Sequence, residues 1–218
     1  MRRSAARELY DALASGNVSF QTHAALDAEL ALADDPQSLT RVLLTERAYT
    51  LTAEAEQAGP LGITNLLGVG VGTGAGKYLE SLIKVSEGPW NEFRQVIKKG
   101  EKLKAPTGFG VMADNLSPAV EASIIAHGRN LAEVRSLRAY NALRLFAKLN
   151  KREATGLEEV DLPAEALVDP FAEAPLRARL TPEGWLIYSV MANEQDDGGN
   201  FREMLDYGVT PPGDRRAQ

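Results

Sequence analysis

Apolar side chains in the first 150 residues recur at every third or fourth position, which is the period of an α-helix. Residues that favour helix starts stand before several of these segments, because a serine or aspartate accepts an N–H of the first turn and a proline there needs no donor. The predicted helices are Arg2–Ala14, a second capped by Ser19, a third from Asp34-Asp35-Pro36 to Gly59-Pro60, then Leu79–Val85, Trp90–Ile97 and a long one from Ser117-Pro118 to about Arg152.

A glycine-rich segment separates two of these helices. Residues 59–76 hold seven glycines and no charged residue. The segment is not a P-loop, because Val71 stands where that motif needs glycine and Tyr78 where it needs serine or threonine. The glycine spacing also fits a dinucleotide-binding fingerprint, but that motif follows a β-strand, and none is predicted before this segment. Glycines also recur at four-residue spacing, as in closely packed helices, but glycine is a poor helix former. A flexible loop over 59–76 is therefore the preferred prediction.

The pattern changes from helical to extended after the long helix. Leu176–Leu180 and Trp185–Val190 are joined by Thr181-Pro182-Glu183-Gly184, with proline and glycine at the positions that a type I turn prefers. This predicts a β-hairpin, and since a two-stranded ribbon is marginal alone, we expect it to pack on the long helix. The predicted fold class is α+β, mainly α, with a helical region over 1–110 and the long helix, hairpin and acidic loop over 111–218.

Composition excludes several kinds of chemistry. The chain has no cysteine, which removes thiol nucleophiles, disulfides and thiolate metal sites. Its two histidines, His23 and His127, lie about a hundred residues apart on predicted helices, with no serine–base–acid arrangement readable around them. We therefore predict packing or surface roles for both histidines. No catalytic residue and no cofactor-binding residue is predicted, and the protein is predicted not to be an enzyme.

The N-terminus and the hydropathy bear on location. No stretch of 18 or more mainly apolar residues occurs in the chain. Met1-Arg2-Arg3 has the charge of a leader's first region, but Glu8 and Asp11 interrupt the apolar region that should follow. From these observations alone we expect either a cytoplasmic protein or an exported one without its leader.

Charge is strongly segregated along the chain. Residues 77–152 carry 14 basic and 7 acidic side chains, whereas residues 153–206 carry 3 basic and 13 acidic ones. The basic residues of segment 77–152 could contact an anionic partner or the acidic C-terminal part of the same chain. The second interpretation is preferred, because no nucleic-acid motif accompanies the charge. The lysines at 98, 99, 102 and 104 lack interleaved aromatics, so no nucleic-acid partner is predicted.

An acidic glycine loop follows the predicted hairpin. Residues 193–198 fit the first half of an EF-hand pattern, but Met204 stands where that motif needs glutamate. A hard cation needs only oxygen ligands at short range, which Asp196, Asp197, Asp206 and loop carbonyls could supply. On the residues alone, a solvated acidic turn is preferred over an ion site.

The C-terminal part carries four short motifs in order: Asp169-Pro170-Phe171, Pro175-Leu176-Arg177, Tyr188-Ser189-Val190 and Asp196-Asp197-Gly198-Gly199. This ending resembles a group of uncharacterised envelope proteins from planctomycete-type bacteria, in which a long helix leads into a hairpin and an acidic glycine loop. It is also similar to the C-terminal part of type II secretion pseudopilins, where a loop after the last hairpin binds calcium. The likeness is strongest after residue 165 and weak over 55–115.

The resemblance implies a location, a ligand set and two functions. By position, Asp196, Asp197 and Asp206 are the expected calcium ligands, with Asn193 at the loop entrance, and calcium is the one candidate cofactor. A periplasmic or cell-envelope location is implied, with a membrane tether in the full-length protein outside this chain. The leading prediction is a non-enzymatic extracytoplasmic structural or protein-interaction module with an unidentified protein partner. The alternative is a calcium-binding, pseudopilin-like component of a secretion or pilus apparatus.

Overall fold

The computed structural model describes residues 5–35, 37–58, 73–88, 90–99, 110–172 and 174–211. The helices of this part are α1 (Ala5–Ala14), α2 (Phe20–Ala33), α3 (Ser38–Ala58), α4 (Thr73–Ser86), α5 (Trp90–Lys99) and α6 (Gly110–Asn150), and the strands are β1 (Arg177–Thr181), β2 (Gly184–Ser189) and β3 (Tyr207–Val209). Short 3-10 helices span Leu157–Glu159, Ala164–Leu167 and Arg202–Met204. The predicted class, α+β and mainly α, is confirmed. No helix in the described ranges combines the length and the apolar character needed to cross a bilayer.

The chain divides into two compact units. One comprises Met1–Asp35 with Gly128–Gln218, and the other is Pro36–His127. The division falls inside α6, so this helix contributes to both units. The predicted boundary between residues 110 and 111 does not match this division and falls at the start of α6.

The unit that contains both chain ends is built around a three-stranded antiparallel sheet of order β1-β2-β3. The predicted hairpin is confirmed: Thr181 pairs with Gly184 at the turn, and Arg177 pairs with Tyr188 at the far end. Gly184 has a φ of +133°, a backbone conformation that only glycine adopts easily. The Thr181 hydroxyl donates a hydrogen bond to the Gly184 carbonyl at 2.8 Å and closes the turn.

The core of this unit joins the sheet to α1 and α6, as expected for the hairpin and the long helix. The Tyr10 and Tyr140 rings stack at 4.0 Å between centroids, and the Tyr10 hydroxyl donates to the Trp185 carbonyl at 3.0 Å. Burial raises the pKa of both tyrosines. The buried residues of this core are Tyr10, Leu13, Leu137, Ala139, Tyr140, Leu143, Ala154, Leu157, Leu176, Trp185, Ile187 and Val209.

The third strand, β3, is an element that sequence reasoning missed. It pairs Val209 with Ile187 and Tyr207 with Ser189 on the open edge of β2. A Cβ at Gly208 would overlap the Ile187 carbonyl oxygen and lie 2.8 Å from the Tyr188 Cα. The strand therefore needs glycine at its centre, and a three-residue strand with a central glycine shows no alternation by which it could be recognised.

A buried ion-pair network links α2 to α6 and corrects one prediction. Asp34 does not cap the third helix, which begins at Ser38. Its backbone N–H ends α2, and its carboxylate accepts from Arg135 Nε at 2.9 Å and lies 3.4 Å from Arg138 Nη1. Arg138 Nε also contacts Asp27 at 3.0 Å. Arg135 and Arg138 thus pair with Asp27 and Asp34 and not with the acidic C-terminal part as predicted, whereas Arg144 and Arg152 do pair there, with Glu153 and Glu159.

The long helix starts earlier than predicted. It begins at Gly110 and runs through Ser117 and Pro118, so their predicted role as its start is wrong. The residues between Gly110 and Pro118 include no helix breaker, which lets the helix extend upstream of the proline. At its other end α6 stops at Asn150, because Lys151 adopts a left-handed φ of +57°.

The structure describes only part of the predicted glycine-rich loop over 59–76. Helix α4 begins at Thr73, so the last four residues of the predicted loop 59–76 are helical. Residues 59–72 of this loop lie outside the described part of the chain.

The other unit packs α3, α4, α5 and the first part of α6 around leucines and aromatics. Thr40 on α3 donates to the Ser86 carbonyl at the end of α4 at 3.0 Å. His127 is buried, with its ring 4.9 Å from that of Trp90 and its Nδ1 3.1 Å from the Ser38 hydroxyl. The buried hydrophobic side chains of this unit are Leu39, Leu43, Leu79, Leu82, Trp90, Phe93, Val120 and Ile124.

Candidate functional site

The acidic loop between β2 and β3, residues 190–206, is held in an unusual backbone conformation. Six of its residues have a φ between +52° and +77°: Met191, Glu194, Gly198, Gly199, Glu203 and Met204. Four of the six are not glycine, and each such residue costs about 1–2 kcal/mol relative to an ordinary conformation. Contacts elsewhere in the loop must therefore hold it in place.

Asp196 is tied to the sheet. Its Oδ1 accepts hydrogen bonds from the Tyr188 hydroxyl at 2.8 Å and from the Gly198 N–H at 3.0 Å, and its Oδ2 lies 3.3 Å from Arg177 Nε. Partial burial raises the pKa of Asp196, but these three contacts outweigh burial and lower it below its ordinary value. Burial and the bond to Asp196 raise the pKa of Tyr188. Asp196 is therefore ionised at neutral pH and already engaged with β1 and β2.

Asp197 and Asn193 lie at the exposed tip of the loop. The Asn193 side-chain amide donates to Asp197 Oδ2 at 2.7 Å, and the Asn193 Oδ1 accepts the Gln195 N–H at 3.2 Å. These contacts form a small turn of the kind that asparagine favours. Nearby, Arg179 of β1 donates to the Gly198 carbonyl at 2.5 Å, which anchors the other side of the tip.

Asp206 lies at the base of the loop and is completely buried. Its Oδ2 accepts the backbone N–H groups of Gly199 at 2.8 Å and Asn200 at 3.0 Å. Its Oδ1 is buried without a hydrogen bond of good geometry from the described residues. Burial raises the pKa of Asp206, although backbone N–H groups, including that of Asp197, oppose the rise.

The structure thus brings the predicted residues Asn193, Asp196, Asp197 and Asp206 into one loop, where Asn193 pairs with Asp197 while Asp196 and Asp206 bond to other groups. Within the described ranges, no group of three or more histidine, aspartate or glutamate side chains is arranged to hold a metal ion. The arrangement as it stands links the loop to the sheet through the protein's own donors.

A second buried carboxylate, missed from the sequence, anchors the start of the loop. Asp169 is fully buried and accepts from the Phe171 N–H at 2.8 Å, the Ser189 hydroxyl at 2.6 Å and the Val190 N–H at 3.0 Å. The sequence offered one signal: an aspartate directly before a proline often accepts the N–H two residues later, as Asp169 does from Phe171. The contact to the end of β2, twenty residues later, carries no local signal.

His23 also has a structural partner. It is buried on α2, and its Nδ1 lies 2.6 Å from the Asn141 Oδ1, while the Asn141 amide donates to the His23 carbonyl at 2.9 Å. The side chain of Asn141 therefore joins α6 to both the ring and the backbone of His23.

Comparisons of the chain with protein-family models, with curated proteins and with solved structures found no match. The resemblance to envelope proteins and to pseudopilins therefore stays a prediction from the motifs.

Proposed function

We propose that the protein is a non-enzymatic structural or protein-interaction module that works outside the cytoplasm. The motifs that resemble envelope proteins motivate the location, and a protein partner is part of the proposal. The observation that supports it is the edge strand β1: it lies at one end of the order β1-β2-β3, no strand among the described residues pairs with its outer side, and Leu180 is 50% exposed. An edge strand offers backbone donors and acceptors to a strand from another chain.

The contacts of the two histidines support a non-enzymatic role. Histidine is the commonest general base, but His23 is bonded to Asn141, and His127 packs on Trp90 beside Ser38. The buried carboxylates of Asp169 and Asp206 likewise accept backbone N–H groups and hold a loop. These two carboxylates hold the loop between β2 and β3 in place.

Site-specific photo-crosslinking tests the interaction. A photoreactive phenylalanine at position 180 of the full-length protein, expressed in its own cells, is expected to give a discrete adduct. The matched control is position 32, since Leu32 on α2 is even more exposed, at 75% against 50% for Leu180. Equal labelling from both positions, or none from either, would contradict an interface at β1. Recovery of the protein only in the cytoplasmic fraction would contradict the location.

A second candidate function is a calcium-binding, pseudopilin-like component of a secretion or pilus apparatus. The observation that favours it is Asp206, whose buried Oδ1 lacks a hydrogen bond of good geometry from the described residues and whose pKa is raised by burial first and by the charge of Asp197 as a smaller cause. A divalent cation between these two carboxylates would satisfy that oxygen and remove their repulsion.

Calcium titration tests this candidate. Millimolar calcium should raise the melting temperature, because a ligand that binds only the folded state stabilises it. The double variant Asp196→Ala, Asp197→Ala should lose the shift, whereas Asp161→Ala, at an exposed aspartate outside the loop, should keep it. Magnesium at equal concentration controls for charge screening. A melting temperature that calcium leaves unchanged rules the candidate out.

A further inference from the structure

A basic cleft lies at the C-terminal end of α6 in the unit that contains the sheet. It has a volume of about 500 Å³. Its lining includes four cationic residues, Arg144, Lys148, Lys151 and Arg152, and one acidic residue, Glu153. We refer to it below as the basic cleft.

Spacing accounts for two of the four cations and the helix end for the other two. Arg144 and Lys148 are four residues apart on α6, and side chains at this spacing lie on the same face of a helix, whereas Lys151 and Arg152 follow the last helical residue, Asn150. Lys151 is the residue at which the helix ends, in the left-handed conformation. Its backbone N–H still donates to the Ala147 carbonyl at 3.0 Å, which holds it at the rim of the same face.

Two of these cations are neutralised by nearby carboxylates. Arg144 Nη1 lies 3.0 Å from Glu153 Oε1, and Arg152 makes two hydrogen bonds to Glu159, at 2.8 and 3.1 Å. Glu153 is further held by the indole N–H of Trp185, which donates to its Oε2 at 3.0 Å. These acidic residues therefore offset Arg144 and Arg152 and are not free to offset another charge.

The other two cations keep their charge uncompensated. Lys148 donates to the neutral carbonyl of Val18 at 2.6 Å, and its ammonium lies 5.1 Å from the centroid of the Phe20 ring. Among the described residues, no carboxylate forms an ion pair with Lys148 or Lys151. Lys148 and Lys151, which both line the basic cleft, thus have no counter-ion among the described residues.

The helix end explains only part of this charge. The C-terminus of a helix carries about half a negative charge, which stabilises nearby cations. Subtracting this half charge from the charges of Lys148 and Lys151 leaves an excess of about one and a half positive charges. A phosphate monoester carries about one and a half to two negative charges at neutral pH. Its charge is therefore the amount that the basic cleft leaves unbalanced.

The opposite wall leaves room for a ligand. The cleft is bounded there by Leu13 and Gly16 at the end of α1 and by His23 on α2. A Cβ at Gly16 would meet nothing within 4 Å, so the space beside it is open. The buried Leu13 supplies an apolar surface, and the volume lies within the range of about 300–1,000 Å³ typical of small-molecule sites.

We propose that the basic cleft binds a small ligand that carries a phosphate monoester group. Lys151 and Lys148 supply the charge for the phosphate, and the guanidinium of Arg144 borders the same space. This site is separate from the acidic loop and does not depend on the proposed function.

Titration calorimetry with inorganic phosphate and with pyrophosphate tests the proposal, at constant ionic strength set by sodium chloride. The central variant is Lys151→Gly, which removes the ammonium and suits the left-handed backbone, so the fold is retained. We expect it to weaken binding about tenfold, the effect of losing one charge contact near a protein surface. Lys151→Arg should preserve binding. Lys84→Gln, at an exposed lysine in the last turn of α4, controls for net charge.

Lys148→Met provides a second measurement, because it removes the other ammonium and keeps the apolar stem beside Phe20. It should weaken binding to a similar extent. Equal affinities for the wild type and Lys151→Gly would overturn the proposal, as would a phosphate response no larger than that to chloride.

A vesicle arm separates the two sources of such a phosphate. Phosphatidylcholine vesicles with and without phosphatidic acid are sedimented with the full chain. Retention on phosphatidic acid that soluble phosphate competes away would support the same cleft with a lipid headgroup as ligand, and soluble binding alone would support a free metabolite. Retention without any response to soluble phosphate would overturn the proposal and indicate a membrane surface instead.

Discussion

Removal of the Asp169 carboxylate should destabilise the unit that contains the sheet more than any exposed substitution. The side chain is fully buried and accepts hydrogen bonds from the Phe171 N–H, the Ser189 hydroxyl and the Val190 N–H. In Asp169→Ala the hydroxyl can rotate to another acceptor, but the two backbone N–H groups cannot. A buried donor left without a partner costs about 1–3 kcal/mol. The expected loss for the two N–H groups is therefore about 2–6 kcal/mol.

Two further variants divide this loss. Asp169→Asn keeps one acceptor oxygen but presents an amide donor to the remaining N–H, so about half of the loss is expected. Ser189→Ala removes one donor to Asp169 and also the acceptor of the Met191 N–H at 3.2 Å, and should cost about 1–3 kcal/mol. The double variant Asp169→Ala, Ser189→Ala should cost less than the sum of the single ones, because the two side chains share one hydrogen bond.

Urea unfolding followed by tryptophan fluorescence measures these losses. The chain has two tryptophans, Trp90 and Trp185, and each belongs to a different compact unit. A Trp90→Phe background leaves Trp185 as the reporter for the unit with the sheet. An unchanged slope against urea shows that the variants alter stability and not the surface exposed on unfolding. A loss below about 1 kcal/mol for Asp169→Ala would refute the argument that this carboxylate supports the strand end.

Two other predictions concern the loop and the helix end. Gly198 and Gly199 have nearly the same φ, +73° and +77°, but a Cβ at Gly198 meets nothing, whereas one at Gly199 would lie 2.6 Å from Leu186 Cδ2. Gly198→Ala should cost about 1 kcal/mol from the backbone alone and Gly199→Ala about 1–3 kcal/mol more by urea unfolding, so equal losses would contradict the packing of the loop on β2. The hydrogen bonds from Arg152 and from the Thr155 N–H lower the pKa of Glu159 from 4.5 to about 2. Because the folded value is the lower one, the stabilisation from this carboxylate is present above pH 4.5 and is lost as the pH falls to about 2. Titration of the carboxyl carbon by NMR should show a pKa that returns toward 4.5 in Arg152→Ala, and an identical pKa in both proteins would argue against the pair.

The predictions that succeeded depend on neighbours in the chain. The Ser19 hydroxyl caps α2 by accepting the Thr22 N–H at 3.1 Å, and the turn before Gly184 joins β1 and β2 as its residues indicate. Both are short-range interactions, in which donor and acceptor are separated by a few residues. The proline at 118 was the exception, since a proline favours a helix start without requiring one.

The candidate site was predictable as a loop but not as a set of contacts. Asp196, Asp197 and Asp206 are close in the chain, so their presence in one region follows from the sequence. Their separate roles follow from long-range contacts: Tyr188 and Arg177 for Asp196, and the buried base of the loop for Asp206. A carboxylate in a sequence does not show which donor folding will bring to it.

The fold class, most of the helices and the hairpin follow from the sequence, because periodicity, caps and turn residues act over a few positions. Tertiary structure alone decided the addition of β3 to the sheet, the burial of Asp169 under the end of β2 and the pairing of Asp34 with Arg135 and Arg138. It also decided the basic cleft, where cations that suit a helix end meet the end of α1 and the start of α2. Each of these features joins residues that are far apart in the chain, and they become neighbours only when the apolar core brings their helices and strands together.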